Sequence, residues 1–313
     1  IKIFMGVSTG TLLVSDETAL ERIFTETAGL IAVHAEDENR MNERRKLVEG
    51  RTDIAAHAYY RDDITALLAT KLSVNLAHKT GHRLHILHLT SGIEADFLSD
   101  HCELPSKTEG HPIITTEVLP QHLTFDETDV DEQGVRLQMN PPIRYKMDRD
   151  ILWKRLIDGT IQCIATDHAP HTLEAKAKGF PHAPSGMPGV ETSLAVMLNY
   201  VNQGKCSIED VVRWMSSNVA DCYRMIGKGK LEEGYDGDIV LVDMNHSAVV
   251  EDENSWTRVG WNPFRGRELT GWPVLTVVEG IPVFERSAGT GQKGRLLVEP
   301  GSVGKPLLME PWK

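Results

Sequence analysis

The stretch 160-TIQCIATDHAPHTLEAKAKGFPHAPSGMPGVET-192 decides how this chain is read. Its first eight residues form a short apolar run that ends in a carboxylate, Asp167, with His168 beside it and His171 three residues on. A bounded apolar run of this length reads as a buried strand. The Gly- and Pro-rich segment after it has the composition of a loop that covers a ligand. A carboxylate at such a strand end, beside a metal-acidified water, can take a proton and return it to a leaving nitrogen. His171 is then placed to hold an anionic group of the substrate.

The same pattern recurs upstream. Strands are expected at IKIFM (1–5), GLIAVHA (29–35), HRLHILHL (82–89) and HPIITTEVLP (111–120). Helical stretches lie between them: SDETALERIFTETAG (15–29) opens on a Ser-Asp cap signal, and DDITALLATKLSVNLAHKTG (62–81) and MDRDILWKRLIDG (147–159) end on glycine. Strands alternating with helices imply βα units and a parallel sheet. Several of the strands carry a polar, potentially reactive residue: Lys2 within the first, then His34, His88 and Asp167 at strand ends. Any one of these alone reads as a satisfied polar residue. Four among the five units argue for a site, because barrel chemistry sits at the C-terminal ends of the strands.

Beyond residue 230 the character changes. YDGDIVLVDM (235–244) and GWPVLTVVEGIPVFE (271–285) are β-rich, and SAGTGQKG (287–294) has a linker's composition. The expected organisation is therefore a barrel domain over 1–229 and a small β-sandwich-type domain with its tail over 230–313. The 313 residues, 41% hydrophobic, suffice for such a core, and the net charge of −12 disfavours a sequence-independent grip on nucleic acid. The four cysteines form no C-x-x-C pair, which fits a reducing cytoplasm, and no apolar run is long enough for a membrane helix.

Two imidazoles and a carboxylate (His34, His88, Asp167) are ligands suited to Zn²⁺ and similar ions. A lysine ammonium has no lone pair to give. Lys2 becomes a ligand only if its amine reacts with CO₂ to form a carbamate, an anion whose two oxygens can bridge two metals. The bland reading of Lys2 is an ordinary solvated lysine.

The set IKIFMGVSTG (1–10), IAVHAEDE (31–38), LHILHLTS (84–91), EVLPQHL (117–123), NPPIR (140–144) and IATDHAPHT…APSGMPGVET closely resembles the dihydroorotases of the amidohydrolase superfamily. EEGYDGDIVLVD (232–243) and WNPFRGRELTGWPVLTVVEGIPVF (261–284) look like that family's small β-domain. The resemblance implies a TIM-type (β/α)8 barrel with one or two zinc ions. It also implies reversible cyclisation of N-carbamoyl-L-aspartate to L-dihydroorotate, a step of pyrimidine biosynthesis. By resemblance Lys2 is the bridging carboxylated lysine, His34 and His88 are ligands of the second metal, and Asp167 is both ligand and general base and acid. Asn140 and His171 resemble substrate-binding positions, and Ser8 and Thr9 lie on a loop that approaches the substrate. As partners the resemblance implies a small-molecule substrate, with a homodimer and association with aspartate transcarbamoylase as further expectations.

Two departures stand out. Gln121 occupies a place where the family commonly has histidine. More importantly, none of the thirteen histidines forms the His-x-His pair that binds the family's first metal, and the arginine that follows that pair is absent with it. Five strands are legible where a barrel needs eight, and the lysine strand is the family's fourth. The expectation is that three βα units, roughly 100 residues at barrel proportions, precede Ile1, and that these 313 residues alone show weak or single-site metal binding and little activity. Competing readings are allantoinase, hydantoinase or dihydropyrimidinase, which share the ligands, and a catalytically silent scaffold for aspartate transcarbamoylase. Retention of the four ligand positions argues against the last. His57 and His85 are expected to be structural or to sit behind the ligands, His78, His101, His182 and His246 to be surface or loop residues, and EDENRMNERRK (36–46) to be a solvated helix face.

Overall fold

The computed structural model describes residues 1–8, 12–102, 114–287 and 293–310. They fall into two compact units, 1–187 and 188–310.

In the first unit β1 (Lys2–Phe4), β2 (Ile31–His34), β3 (Leu84–Leu89), β4 (Ile114–Val118) and β5 (Cys163–Ile164) form a parallel sheet in sequential order. Each lies within an expected apolar run. Residues 111–113 of the fourth run lie outside the described residues. β3 and β4 are buried almost throughout, as a parallel sheet with both faces covered requires. The register pairs Phe4 with His34, so the C-terminal ends of β1 and β2 lie level. The first helix begins at its expected cap, where the Asp16 carboxylate accepts from the Ala19 amide at 2.8 Å, and Asp62 likewise caps the helix Asp63–Thr80 by accepting from the Thr65 amide at 2.9 Å. Gly6, just past β1, permits a close approach that any side chain would block, since a Cβ there would lie 2.5 Å from the Glu36 carbonyl oxygen. The chain after β1 is thereby held against the chain after β2.

In the second unit β6 (Ile239–Val249), β7 (Glu268–Val278), β8 (Ile281–Glu285) and β9 (Arg295–Leu296) form an antiparallel sheet in that order. Where a sandwich was expected, the described residues show one four-stranded sheet. The helix Ser193–Asn202 is tied to β7: the Asn199 side-chain oxygen accepts from the Thr270 amide at 3.0 Å, and the Asn202 side-chain amide donates to the Thr270 carbonyl at 2.8 Å. These bonds group residues 193–202 with the sheet, so the division by contact falls ahead of residue 229. Most of the 287–294 linker lies outside the described residues. No described helix is long and apolar enough to cross a membrane.

Candidate active site

The ends of β2 and β3 carry the centre of the site. His34 is the last residue of β2, and His88 is next to last in β3, where the pairing with β4 is irregular. His34 Nδ1 and His88 Nε2 face each other at 3.1 Å. His34 Nε2 lies 2.9 Å from a carboxylate oxygen of Glu36, which can only accept, so that nitrogen carries the proton. In neutral His34 the lone pair is then on Nδ1, and His88 donates to it from Nε2. This leaves the second nitrogen of His88, Nδ1, as an acceptor that is buried with no hydrogen-bond partner among the described residues. Burial and the neighbouring His34 push the His88 ring down to about 4, so it is neutral at pH 7.

With the His88 proton moved to Nδ1, both facing nitrogens, His34 Nδ1 and His88 Nε2, carry lone pairs, and the pair then suits a divalent cation. Two imidazole nitrogens on one tetrahedral zinc, each at about 2.0–2.1 Å, stand roughly 3.3 Å apart, and the observed separation is close to that. The Glu36 carboxylate behind His34 fixes its tautomer, as carboxylates behind metal-bound histidines do. Among the described residues, however, no three His, Cys, Asp or Glu side chains are grouped to hold a metal. The expected third and fourth ligands are near but apart. Asp167 and Lys2 both act electrostatically on His88. Lys2 is exposed, with its amine 4.7 Å from the centre of the Phe4 ring. Asp167 lies half-buried, beyond the two residues of β5.

Backbone conformation marks two of the expected residues. His88 and Asp167 have positive φ, 35° and 43°, which side-chain-bearing residues seldom adopt. Such strain persists where surrounding structure enforces it and concentrates at functional sites. The Gln121 side-chain amide donates to the Thr166 carbonyl at 3.0 Å, one residue before Asp167. The glutamine that departs from the family pattern thus secures the backbone leading into this carboxylate.

A buried network supports the pair. Arg61 forms an ion pair with Glu36, donates to the Val7 carbonyl at 2.6 Å, and through its own carbonyl accepts from Arg144 at 2.6 Å. Burial opposes the charge on Glu36, but Arg61 and the His34 hydrogen bond outweigh it and hold the carboxylate at about 2. On the far side of β3, His85 Nε2 meets the Glu117 carboxylate at 3.0 Å, and Glu117 also accepts from the His88 amide at 3.3 Å. Burial works to raise Glu117, but the His85 hydrogen bond lowers it below the usual carboxylate range. Glu36 is the first residue of a run expected to be solvated, yet it is fully buried. Its side chain follows His34 at the two-residue spacing of an extended chain, the one local signal that marks it.

A cavity of about 930 Å³ opens beside this network, lined by Ser8, Asn140, Ser185 and the buried His57 among others. Arg45, Lys46, Arg51 and Arg61 reach its wall, Arg61 paired with Glu36 and Arg51 with Asp53, and Glu49 is the carboxylate among the lining residues. The structure thus brings Ser8 and Asn140 together, with the Asn140 amide 3.5 Å from the Ser8 hydroxyl. His171 stands next to them through Ser185, whose carbonyl lies 3.2 Å from His171 Nε2. Thr9 lies outside the described residues. Gly186, at φ 132°, brings the APSGMPG loop so close that a Cβ would meet the Ala169 carbonyl at 2.5 Å and the His171 ring at 3.2 Å.

Comparison with known proteins agrees with this arrangement. The amidohydrolase family pattern matches residues 13–283. Dihydroorotase from Halobacterium salinarum is 32% identical over 94% of this chain and 67% of its own, and that from Pyrococcus horikoshii is 33% identical over 96% and 64%. Among solved structures, L-hydantoinase (dihydropyrimidinase) from Arthrobacter aurescens superposes with a TM-score of 0.85 at 29% identity, covering 95% of this chain and 66% of that one. Dihydropyrimidinase from Brevibacillus agri gives 0.81 at 27%, covering 90% and 62%. The chain spans about two thirds of the length of these relatives, and over that part its fold is similar to that of the hydantoinases. With opposed histidines at parallel strand ends and the family pattern running through both units, the chain belongs to the amidohydrolase family.

Proposed function

We propose that the protein carrying this chain is a metal-dependent dihydroorotase, interconverting L-dihydroorotate and N-carbamoyl-L-aspartate. The observation that supports it most is the opposed His34–His88 nitrogen pair, backed by Glu36, beside a cation-lined cavity in a chain of net charge −12. In this reading β1–β5 take the places of barrel strands four to eight. His34, His88, Asp167 and a carboxylated Lys2 hold the metal, taken to be zinc. Carboxylation joins the Lys2 amine to CO₂ and releases a proton, leaving the anionic carbamate. When bound, the metal supplies Lewis acidity toward the ring carbonyl and acidifies a water. Asp167 takes the proton of the attacking water and delivers it to the departing ring nitrogen. Asn140, His171, Ser8 and Thr9 hold the substrate, and the cavity's guanidinium and ammonium groups favour its carboxylate. The same reading places the protein in the cytoplasm as a homodimer, with aspartate transcarbamoylase as a protein partner.

The hydantoinase and dihydropyrimidinase neighbours support a second reading, hydrolysis of a neutral cyclic ureide. Steady-state assays of the whole protein that carries this chain, with L-dihydroorotate, hydantoin and dihydrouracil, separate the two. The first reading expects L-dihydroorotate to have the highest kcat/KM and zinc removal to abolish turnover. Preference for hydantoin or dihydrouracil overturns it, and no turnover of any of the three leaves the scaffold role.

A further inference from the structure

His57 sits in IAAHAYY (54–60), where the sequence offers no pattern that marks it. Its ring is buried, packed edge-on against Tyr60 and Phe180 at centroid distances of 5.7 and 6.1 Å. Nε2 lies 3.0 Å from the Asn140 side-chain oxygen, across 83 residues of sequence. Both residues line the cavity. An asparagine amide has two ends of opposite character and nearly equal shape, so its neighbours decide which end faces a ligand. Here the oxygen faces His57, and the NH₂ group faces Ser8 and the cavity.

We infer that His57 is a positioning residue: its Nε2 proton holds the Asn140 amide so that the cavity receives a hydrogen-bond donor, which selects substrates presenting an anionic oxygen. Released from His57, the amide can turn and present its carbonyl oxygen, which repels a carboxylate. The ring is suited to the task because it has one proton to give: burial, reinforced by the Arg61 charge, keeps it neutral. Arg61, and Lys176 when it is protonated, oppose a second proton on the ring, while the Glu36 carboxylate and the Asn140 hydrogen bond favour it less than burial and Arg61 resist it.

The inference rests on the proposed role of Asn140 in holding substrate, so its test has one arm that needs no turnover. His57→Phe keeps the aromatic packing and removes the donor. His57→Gln puts an amide nitrogen near the position of Nε2. In the whole protein that carries this chain, His57→Phe is expected to raise KM for L-dihydroorotate by about ten- to a hundredfold with kcat little changed, the scale of one lost hydrogen bond to a charged group. His57→Gln restores KM, and neither variant shifts KM for neutral dihydrouracil comparably. Equal losses for both substrates, or failure of His57→Gln to rescue while its melting curve matches wild type, overturn the inference. Long-range ¹H–¹⁵N spectra of the wild-type chain read the ring directly. A proton on Nε2 supports the assignment, and a proton on Nδ1 alone overturns it, whether or not dihydroorotate proves to be the substrate.

Discussion

The two compact units bury different things. Among the described residues every buried charged or imidazole side chain lies in the first unit: His34, Glu36, Arg61, His88, Glu94 and Lys176 are examples. The second unit buries as polar side chains only Thr192, Ser193 and Asn262, all neutral. Its long strand β6 leaves most residues at least partly exposed. Taking charge out of water is costly unless partners replace the solvent. The first unit thus carries the buried charged and imidazole groups, on its parallel strand ends and the segments behind them, whereas the second unit buries none among its described residues.

The sharpest break in that comparison is Arg61→Ala. It strands the Glu36 carboxylate in the interior and releases Val7, and removing one partner of a buried pair costs about 3–5 kcal/mol. Urea denaturation of the variant should show this loss. A midpoint close to wild type would mean that the network does not stabilise the first unit.

Glu94 gives the next effect, read through pH. Burial pushes this carboxyl up to about 7 against the hydrogen bond it accepts from Thr70, with Arg144 and Glu36 as its charged neighbours. Between about 4.5 and 7 the folded chain keeps a proton that the unfolded chain has lost, so stability falls as pH rises through that window, by up to ~3 kcal/mol. Glu94→Gln should remove this slope, measured as denaturation midpoints at pH 5 and pH 8. An unchanged slope assigns it elsewhere. Glu36 acts in the opposite sense: its stabilising charge is present above the usual carboxylate range and is lost as pH falls toward about 2.

In the second unit Asn262→Ala is expected to cost less, about 1–3 kcal/mol, because it deprives the buried Phe264 amide of its acceptor without stranding a charge. A loss equal to that of Arg61→Ala would erase the distinction between the units. Smallest of all, Arg22→Ala removes an exposed i,i+4 pair with Glu26 and should leave the midpoint unchanged.

Much of the first unit was legible in the sequence, because its signals are local. Apolar runs gave the five strands, the Ser-Asp signal ahead of residue 17 marked a helix start, and strand-end position singled out His34, His88 and Asp167. What stayed hidden depends on distant pairing. Arg61 meets Glu36 across 25 residues and His57 meets Asn140 across 83, and no spacing rule reaches that far. Glu36 was masked by its neighbours, since a buried carboxylate began a run that otherwise looks solvated. Gln121 read as a departure, yet through its bond to the Thr166 carbonyl it serves the same strand end.

The central claim is that the opposed His34–His88 pair is a metal-binding element. Calorimetric titration of Zn²⁺ into the chain, and into the His34→Ala/His88→Ala double variant, tests it most directly. The account predicts a site in the wild-type chain that disappears in the double variant. Equal stoichiometry and affinity in both would contradict it.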